Sequence, residues 1–202
     1  MARRRITPAL LIVALMLLLA ALVVVILINR RPPPPPPALP ASTWPNRALT
    51  PGAVDPGATD SNICAHDWQA GVPPRPGGGN LTYSKAARRT SARLKDAVFA
   101  AYGLRNPHDG GRAWEVDHLI PLALGGSDVR ENLWPESRRG DGLNAFAKDR
   151  LEYRLYRMVC HPAPGTAPLP LRSAQAAFTP DWVAGYKTYC ANAADCPEFG
   201  RD

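Results

Sequence analysis

At 202 residues the chain has room for one folded domain with appendages, which excludes a multidomain array. Its formal charge is +7, but Arg3, Arg4, Arg5, Arg30 and Arg31 supply five of those charges, and no acid precedes Asp55. Beyond them stand 19 basic and 17 acidic residues, a balance of +2, which excludes bulk charge as an argument for nucleic-acid binding.

The first predicted element is residues 6–29, which carry no charge and are almost all Leu, Val, Ala and Ile. At ~1.5 Å per residue they make a helix long enough for a bilayer core about 30 Å thick. Three arginines and the amino terminus precede it and two arginines follow, so the expectation is a single-pass inner-membrane anchor. The start would be cytoplasmic and the rest exported to the periplasm or cell exterior. A cleaved signal peptide, leaving a secreted protein, is the competing reading. The run ends in Val-Val-Val-Ile-Leu-Ile-Asn, without the small-x-small pattern of a cleavage site. Six prolines at 32–37 predict a stiff polyproline spacer, and the Pro-, Ala- and Gly-rich stretch to Ser61 reads as linker. The expected division is therefore 1–31 stub and anchor, 32–61 linker and 62–202 globular domain, with no internal repeat.

In the globular part, Thr90 or Ser91 caps a predicted helix through Leu94, Val98, Ala101 and Tyr102, stopped by Gly103. Residues 113–120 alternate and then run apolar, as a short strand does. Leu122–Leu124 is either its partner or part of a turn, and Gly125-Gly126 breaks the pattern. A second helix is predicted from near Asn144 to near Cys160, with Leu151, Leu155, Met158 and Val159 on its core face. Thr179-Pro180-Asp181 resembles a third helix start, the hydroxyl capping and Pro in the first turn. Trp182, Tyr186 and Tyr189 after it share a side that reads as core.

The four cysteines, Cys64, Cys160, Cys190 and Cys196, all lie beyond the apolar segment. An even number in an oxidising compartment predicts two disulfides, with three pairings open. Cys190–Cys196 is favoured as a short local loop, with Cys64–Cys160 as the long tie. No CxxC spacing supports zinc. Lys85, Arg88, Arg89, Arg93 and Lys95 form one basic stretch that fits either a nucleic-acid contact or a solvated helix face.

The chemistry concentrates in WEVDHLIPLALGGSDVRENLWPE, Trp114 to Glu136. Asp117 is a hard oxygen donor suited to Mg²⁺, and His118 titrates near neutrality and can take a proton from water. A bend at the strand end would let both reach one cleft. Asn132, beyond the Gly-Gly turn, can bond loop backbone and hold the turn against the strand. Asn144 could offer an amide oxygen to the same cation. A base that activates water beside a cation that stabilises phosphate charge suits phosphodiester hydrolysis.

Asp117-His118-Leu-Ile-Pro-Leu-x-x-Gly-Gly-Ser-Asp, followed by Glu131-Asn132-Leu133, resembles the HNH endonuclease motif. The resemblance is dense over about 115–133 and looser through the following helix. It implies an α+β fold with a ββα-metal core, two antiparallel strands and a helix around one divalent cation, extended by further helices. It also implies His118 as general base, Asn132 as the orienting residue, and Asp117 and Asn144 as metal ligands. Mg²⁺ is the expected metal, with Mn²⁺, Ni²⁺ or Zn²⁺ as alternatives. The gap from Asn132 to Asn144 is longer than the family's usual spacing, and Arg138 to Gly142 looks inserted. The paired CxxC zinc knuckles of many relatives are absent, and disulfides would replace them as staples.

The expected substrate is nucleic acid, DNA before RNA, cut with low sequence specificity. Lys148, Arg138 and Arg139 are candidate phosphate contacts, although Lys148 also suits a surface pair with Glu152 or Asp149. Glu115 and His161 are reserve ligands, while His66 and His108 read as surface residues. No protein partner is inferable. The rival readings are an HNH-fold binding module without turnover and a hydrolase of another phosphodiester.

Overall fold

The computed structural model describes residues 8–29, 44–65, 87–140, 142–192 and 194–196, with side chains of the first helix described at 8–9 and 12–26. The chain divides into two compact units, Met1–Pro37 and Ala38–Asp202. In the first, the uncharged run forms helix α1, Pro8–Asn29. Its described large side chains, from Ile12 to Ile26, are all exposed, as in a helix that is apolar on every side. Among the described residues no helix is long and apolar enough to cross a membrane. The six prolines and the basic stretch's Lys85 lie outside the described residues.

The second unit is an α+β assembly built around one antiparallel hairpin. Strand β1, Trp114–His118, pairs with β2, Leu133–Ser137, in a register that sets Glu115 opposite Glu136 and Asp117 opposite Trp134. Leu122–Leu124 is not the partner strand but a single 3-10 turn, ended by Gly125 in the left-handed region at φ +73°. The second glycine is needed for a different reason. A Cβ at Gly126 would stand 1.8 Å from the Ile120 carbonyl oxygen, so only glycine lets the connection fold back this tightly.

One helix packs on each face of the hairpin. Helix α3, Ala92–Ala101, is capped by Ser91, whose side chain accepts from the Leu94 amide, and Gly103 follows it at φ +69°. Its Val98 and Phe99 pack with Trp114, Val116 and Leu133. On the other face lies α4, Ala145–Cys160, whose Ala147, Leu151, Leu155 and Val159 recur at helical spacing and bury against Trp134. Met158 is only partly buried at the edge of that cluster.

Three expectations are corrected. The stretch read as linker to Ser61 is docked from Asn46 onward. The Asn46 amide donates to the Tyr102 hydroxyl, and the fully buried Thr50 donates its hydroxyl to the Leu133 carbonyl at 2.8 Å. Ala53 and Asp55 exchange backbone bonds with Ser127 and Gly125. Such a segment needs no hydrophobic period, because the hairpin connection supplies its backbone partners. It leads into α2, Asp60–Cys64, a five-residue helix with a Thr59–Asn62 capping box that is too short to show a period. A further short helix, α5, Leu171–Ala176, was also not foreseen. Finally, α6, Trp182–Tyr189, is capped by Asp181 rather than Thr179, and the Thr179–Pro180 peptide is cis. Trp182 is buried, and Tyr186 and Tyr189 pack partly against the same core.

Both favoured disulfides are present, Cys64–Cys160 and Cys190–Cys196. The first ties α2 to the end of α4 across 96 positions of chain. Closing a loop of that size stabilises the fold by roughly 4–5 kcal/mol in the chain-entropy picture. The pair of disulfides points to an extracytoplasmic location.

Candidate functional site

The pleat of β1 decides where its polar groups go. Trp114, Val116 and His118 alternate with Glu115 and Asp117, so the first three turn toward α3 and the last two toward α4. Asp117 and His118 therefore leave the strand on opposite faces and find different partners, and the expected convergence on one cleft is not what the fold builds.

His118 is 1% exposed, and its Nε2 stands 2.7 Å from Asp128 Oδ1. Asp128 is itself held by the Thr90 hydroxyl and the Arg89 backbone N–H, both just before the Ser91 cap of α3. Burial raises the Asp128 carboxyl, but the bonds from Thr90, Arg89 and His118 outweigh it and keep it below its ordinary value. Burial lowers the His118 imidazole, against the pull of Asp117 and Asp128. A neutral imidazole that donates Nε2–H to an ionised Asp128 leaves Nδ1 as the atom able to take a proton. Asp128 is thus an orienting partner that the sequence reading did not single out, although it closes the Gly-Gly-Ser-Asp motif.

Asn132 fixes the loop between them. Its amide oxygen accepts from the Ile120 amide at 2.9 Å and the Ala53 amide at 3.3 Å. Its Nδ2 donates to the Ile120 and Ser127 carbonyls, each at 2.9 Å. One fully buried side chain thereby satisfies the Gly-Gly turn, the strand end and the docked 46–59 segment.

On the α4 face, Lys148 is fully buried, with its Nζ 2.5 Å from Asp117 Oδ2. It is neither a surface ion pair nor a free phosphate contact. Burial raises the Asp117 carboxyl, but Lys148, Glu136 and His118 together hold it far below the carboxylate range. Burial pulls Lys148 down, and Asp117, Glu136 and Glu152 more than reverse this. Glu136 is 2% exposed, and burial together with Asp117 keeps it well above the carboxylate range despite Lys148. Neither Glu136 oxygen meets a donor in the heavy-atom geometry, because its neighbour Asp117 is also a carboxylate. A proton kept on Glu136 and shared with Asp117 reconciles the two observations. Glu115 is raised to about 7 by burial and by Asp117 and Asp149, with Arg138 opposing at 2.7 Å. Asp149 is raised to about 6 by burial and Asp117. Glu136 was also missed by sequence reasoning, and its signal was register: it stands directly across from Glu115.

The other candidates lie elsewhere. Asn144 caps α4, its side chain accepting from the Ala147 amide and donating at 3.4 Å to the Arg138 and Gly140 carbonyls. Its oxygen is used by the helix terminus, and Asp117 is not among its partners. Arg138 is engaged by Glu115 and lies over the Phe146 ring, while Arg139 is exposed. His161 is an exposed residue at the α4 terminus, His108 is exposed beside Asp96, and His66 lies outside the described residues. Arg88, Arg89, Arg93 and Lys95 are exposed.

Among the described residues no three His, Cys, Asp or Glu stand close enough to hold a metal ion. Asp117 is paired with the buried Lys148 ammonium and Glu136 is sealed beside it, so this cluster does not fit a divalent cation that keeps water and phosphate in its shell. No family model, curated protein or solved structure matches this chain.

Proposed function

We propose that this protein is a metal-dependent endonuclease of HNH type, cutting phosphodiester bonds of nucleic acid, with DNA the expected substrate. The single observation that carries the reading is the pairing of His118 with Asp128 at the end of β1, next to a buried carboxylate pair on the other face. Burying so many ionisable groups opposes stability, and such clusters gather where chemistry needs shifted proton affinities.

In the mechanism, Asp128 fixes the imidazole so that His118 Nδ1 takes the proton of the attacking water. Asn132 holds the loop that places both. Asp117 and Glu136 lie on the opposite face of the hairpin, so neither is given a role at the phosphate that His118 would serve, and Asn144 is spent on capping α4. Exposed Arg139 and the Arg88–Arg93 stretch offer phosphate contacts.

We further propose that the uncharged run 6–29, which reaches beyond the described side chains of α1, anchors the protein in the inner membrane with the rest exported. The support is the uncharged sequence at 6–29 between two arginine clusters.

Relaxation of supercoiled plasmid by the purified full chain in Mg²⁺ or Mn²⁺ tests the function. Cutting that stops with EDTA and in His118→Ala supports it, and equal cutting by that variant overturns it. A second reading, an HNH-fold binding module without turnover, is favoured by Lys148 standing among the carboxylates and by the closed surroundings of His118. DNA retardation without cutting in any divalent metal would select it. Cutting that a lipid or nucleotide diester suppresses would direct attention to another phosphodiester.

A further inference from the structure

The segment 46–65 has little apolar surface to hold it down. Within it only Thr50 and Ile63 are buried, and Ile63 is the one apolar side chain of the two. What the segment supplies is a row of hydrogen bonds to the connection between the strands. The Gly52 amide donates to the Glu131 carbonyl at 3.0 Å, the Asp55 amide donates to the Gly125 carbonyl at 2.8 Å, and the Ala53 carbonyl accepts from the Ser127 amide at 2.9 Å. The Ala53 amide donates to the Asn132 side-chain oxygen, and the Thr50 hydroxyl to the Leu133 carbonyl. Asp128, the carboxylate that orients His118, lies inside the stretch so held. Each of these bonds replaces one to water and adds little by itself. The Cys64–Cys160 disulfide fastens the far end of the same segment to the end of α4. A covalent tie across 96 positions outweighs the burial of one isoleucine, so it is the strongest single hold on the segment.

The two disulfides differ in reach and in access. Cys190 and Cys196 are buried and close a loop only six positions long. Cys64 and Cys160 are half-buried, near enough to the surface for a thiol or disulfide reagent to meet them. We propose that Cys64–Cys160 is a redox latch for the site: with both thiols reduced, segment 46–65 leaves the connection and Asp128 is no longer held in place for His118, and oxidation after export docks the segment and completes the site. The inference rests on the nuclease reading above for what the latch controls, and on the hydrogen bonds of the segment for how it acts. In the closing step the thiolate of one cysteine attacks a disulfide-bearing oxidant, forming a mixed disulfide and releasing one of the oxidant's sulfurs. The thiolate of the other cysteine then displaces the second sulfur. Two thiols become one disulfide, and the oxidant takes up two electrons and two protons and leaves as a dithiol. A chain built this way cuts only after it has passed out of the reducing compartment in which it is made.

The test reads amide hydrogen exchange by mass spectrometry on the full chain, alongside relaxation of supercoiled plasmid in Mn²⁺. In the double variant Cys64→Ser, Cys160→Ser, exchange across 46–59 and at Ser127 should be about a hundredfold or more faster than in the parent, while α3 and α4 stay protected. Nicking by that variant should fall by about tenfold or more. The double variant Cys190→Ser, Cys196→Ser should change much less in both. Dithiothreitol should bring the parent to the behaviour of the first variant, and glutathione disulfide should restore it. Protection of 46–59 in the first variant equal to the parent's overturns the latch, as does undocking that leaves nicking unchanged; in both cases a parent that cuts leaves the nuclease reading standing. If the oxidised parent cuts in no divalent metal, the nuclease reading fails, and exchange at 46–59 and Ser127 alone decides the latch. Should the first variant not fold, graded reduction of the parent decides: loss of protection in 46–59 ahead of α4 supports the latch, and simultaneous loss overturns it.

Discussion

The two faces of β1 were built from the same five residues and solve different problems. Toward α3, Trp114 and Val116 join Val98, Phe99 and Leu133 in an ordinary apolar cluster, and the one polar member, His118, is matched by a single carboxylate. Toward α4, Glu115, Asp117 and Glu136 crowd around one lysine and one arginine, and part of their bonding capacity is left over. The first face is apolar packing around one matched imidazole–carboxylate pair, whereas the second gives up stability for a concentration of charge.

The comparison can be broken most decisively at His118. His118→Ala should lower metal-dependent plasmid nicking by about 10²–10⁴-fold, the range for losing a general base. Val116→Ala, two positions back on the same face, should leave the rate little changed and cost about 2 kcal/mol in urea denaturation. Equal losses of activity in the two would mean that His118 only packs. On the other face, Lys148→Ala should cost about 3–5 kcal/mol in urea denaturation, because the buried Asp117 carboxylate loses its partner. A negligible loss would mean that the ammonium is dispensable to the carboxylates. Asn132→Ala should cost about 2–4 kcal/mol by stranding the backbone groups of Ile120 and Ser127, with the change read as a lower denaturation midpoint.

The smallest effect concerns Asp128. Its folded proton affinity is depressed, so its contribution is present above the usual carboxylate range and is lost as pH falls through the folded value. Asp128→Asn should therefore be about 2 kcal/mol less stable than the parent near neutrality, and the difference should shrink on acidification below about pH 4. A difference independent of pH would remove the charge from the explanation.

Local signals were readable along the chain. Ser91 and Gly103 bracket α3, Asn144 opens α4, and Leu151, Leu155 and Val159 mark its buried face, because caps and periods depend on neighbours a few positions away. The pairing of the four cysteines was legible from spacing and count. The docked 46–59 segment, α2 and α5 were not. The first is held by backbone partners supplied from far along the chain, and the two helices are too short for a period to emerge. In the site, Asp117, His118 and Asn132 stood out by residue type. Asp128 and Glu136 did not, since nothing local tells a partner carboxylate from a surface one.

By itself, then, the sequence determined an uncharged apolar run, an even set of cysteines and a Gly125-Gly126 break after the first strand, for these depend on composition and short-range sterics. Only the tertiary structure decided that neighbouring Asp117 and His118 part company, that Lys148 is interior, and that Asn144 serves the helix end. Those outcomes follow from the pleat of β1 and from which helix covers each face, and both are settled by contacts between residues distant in the chain.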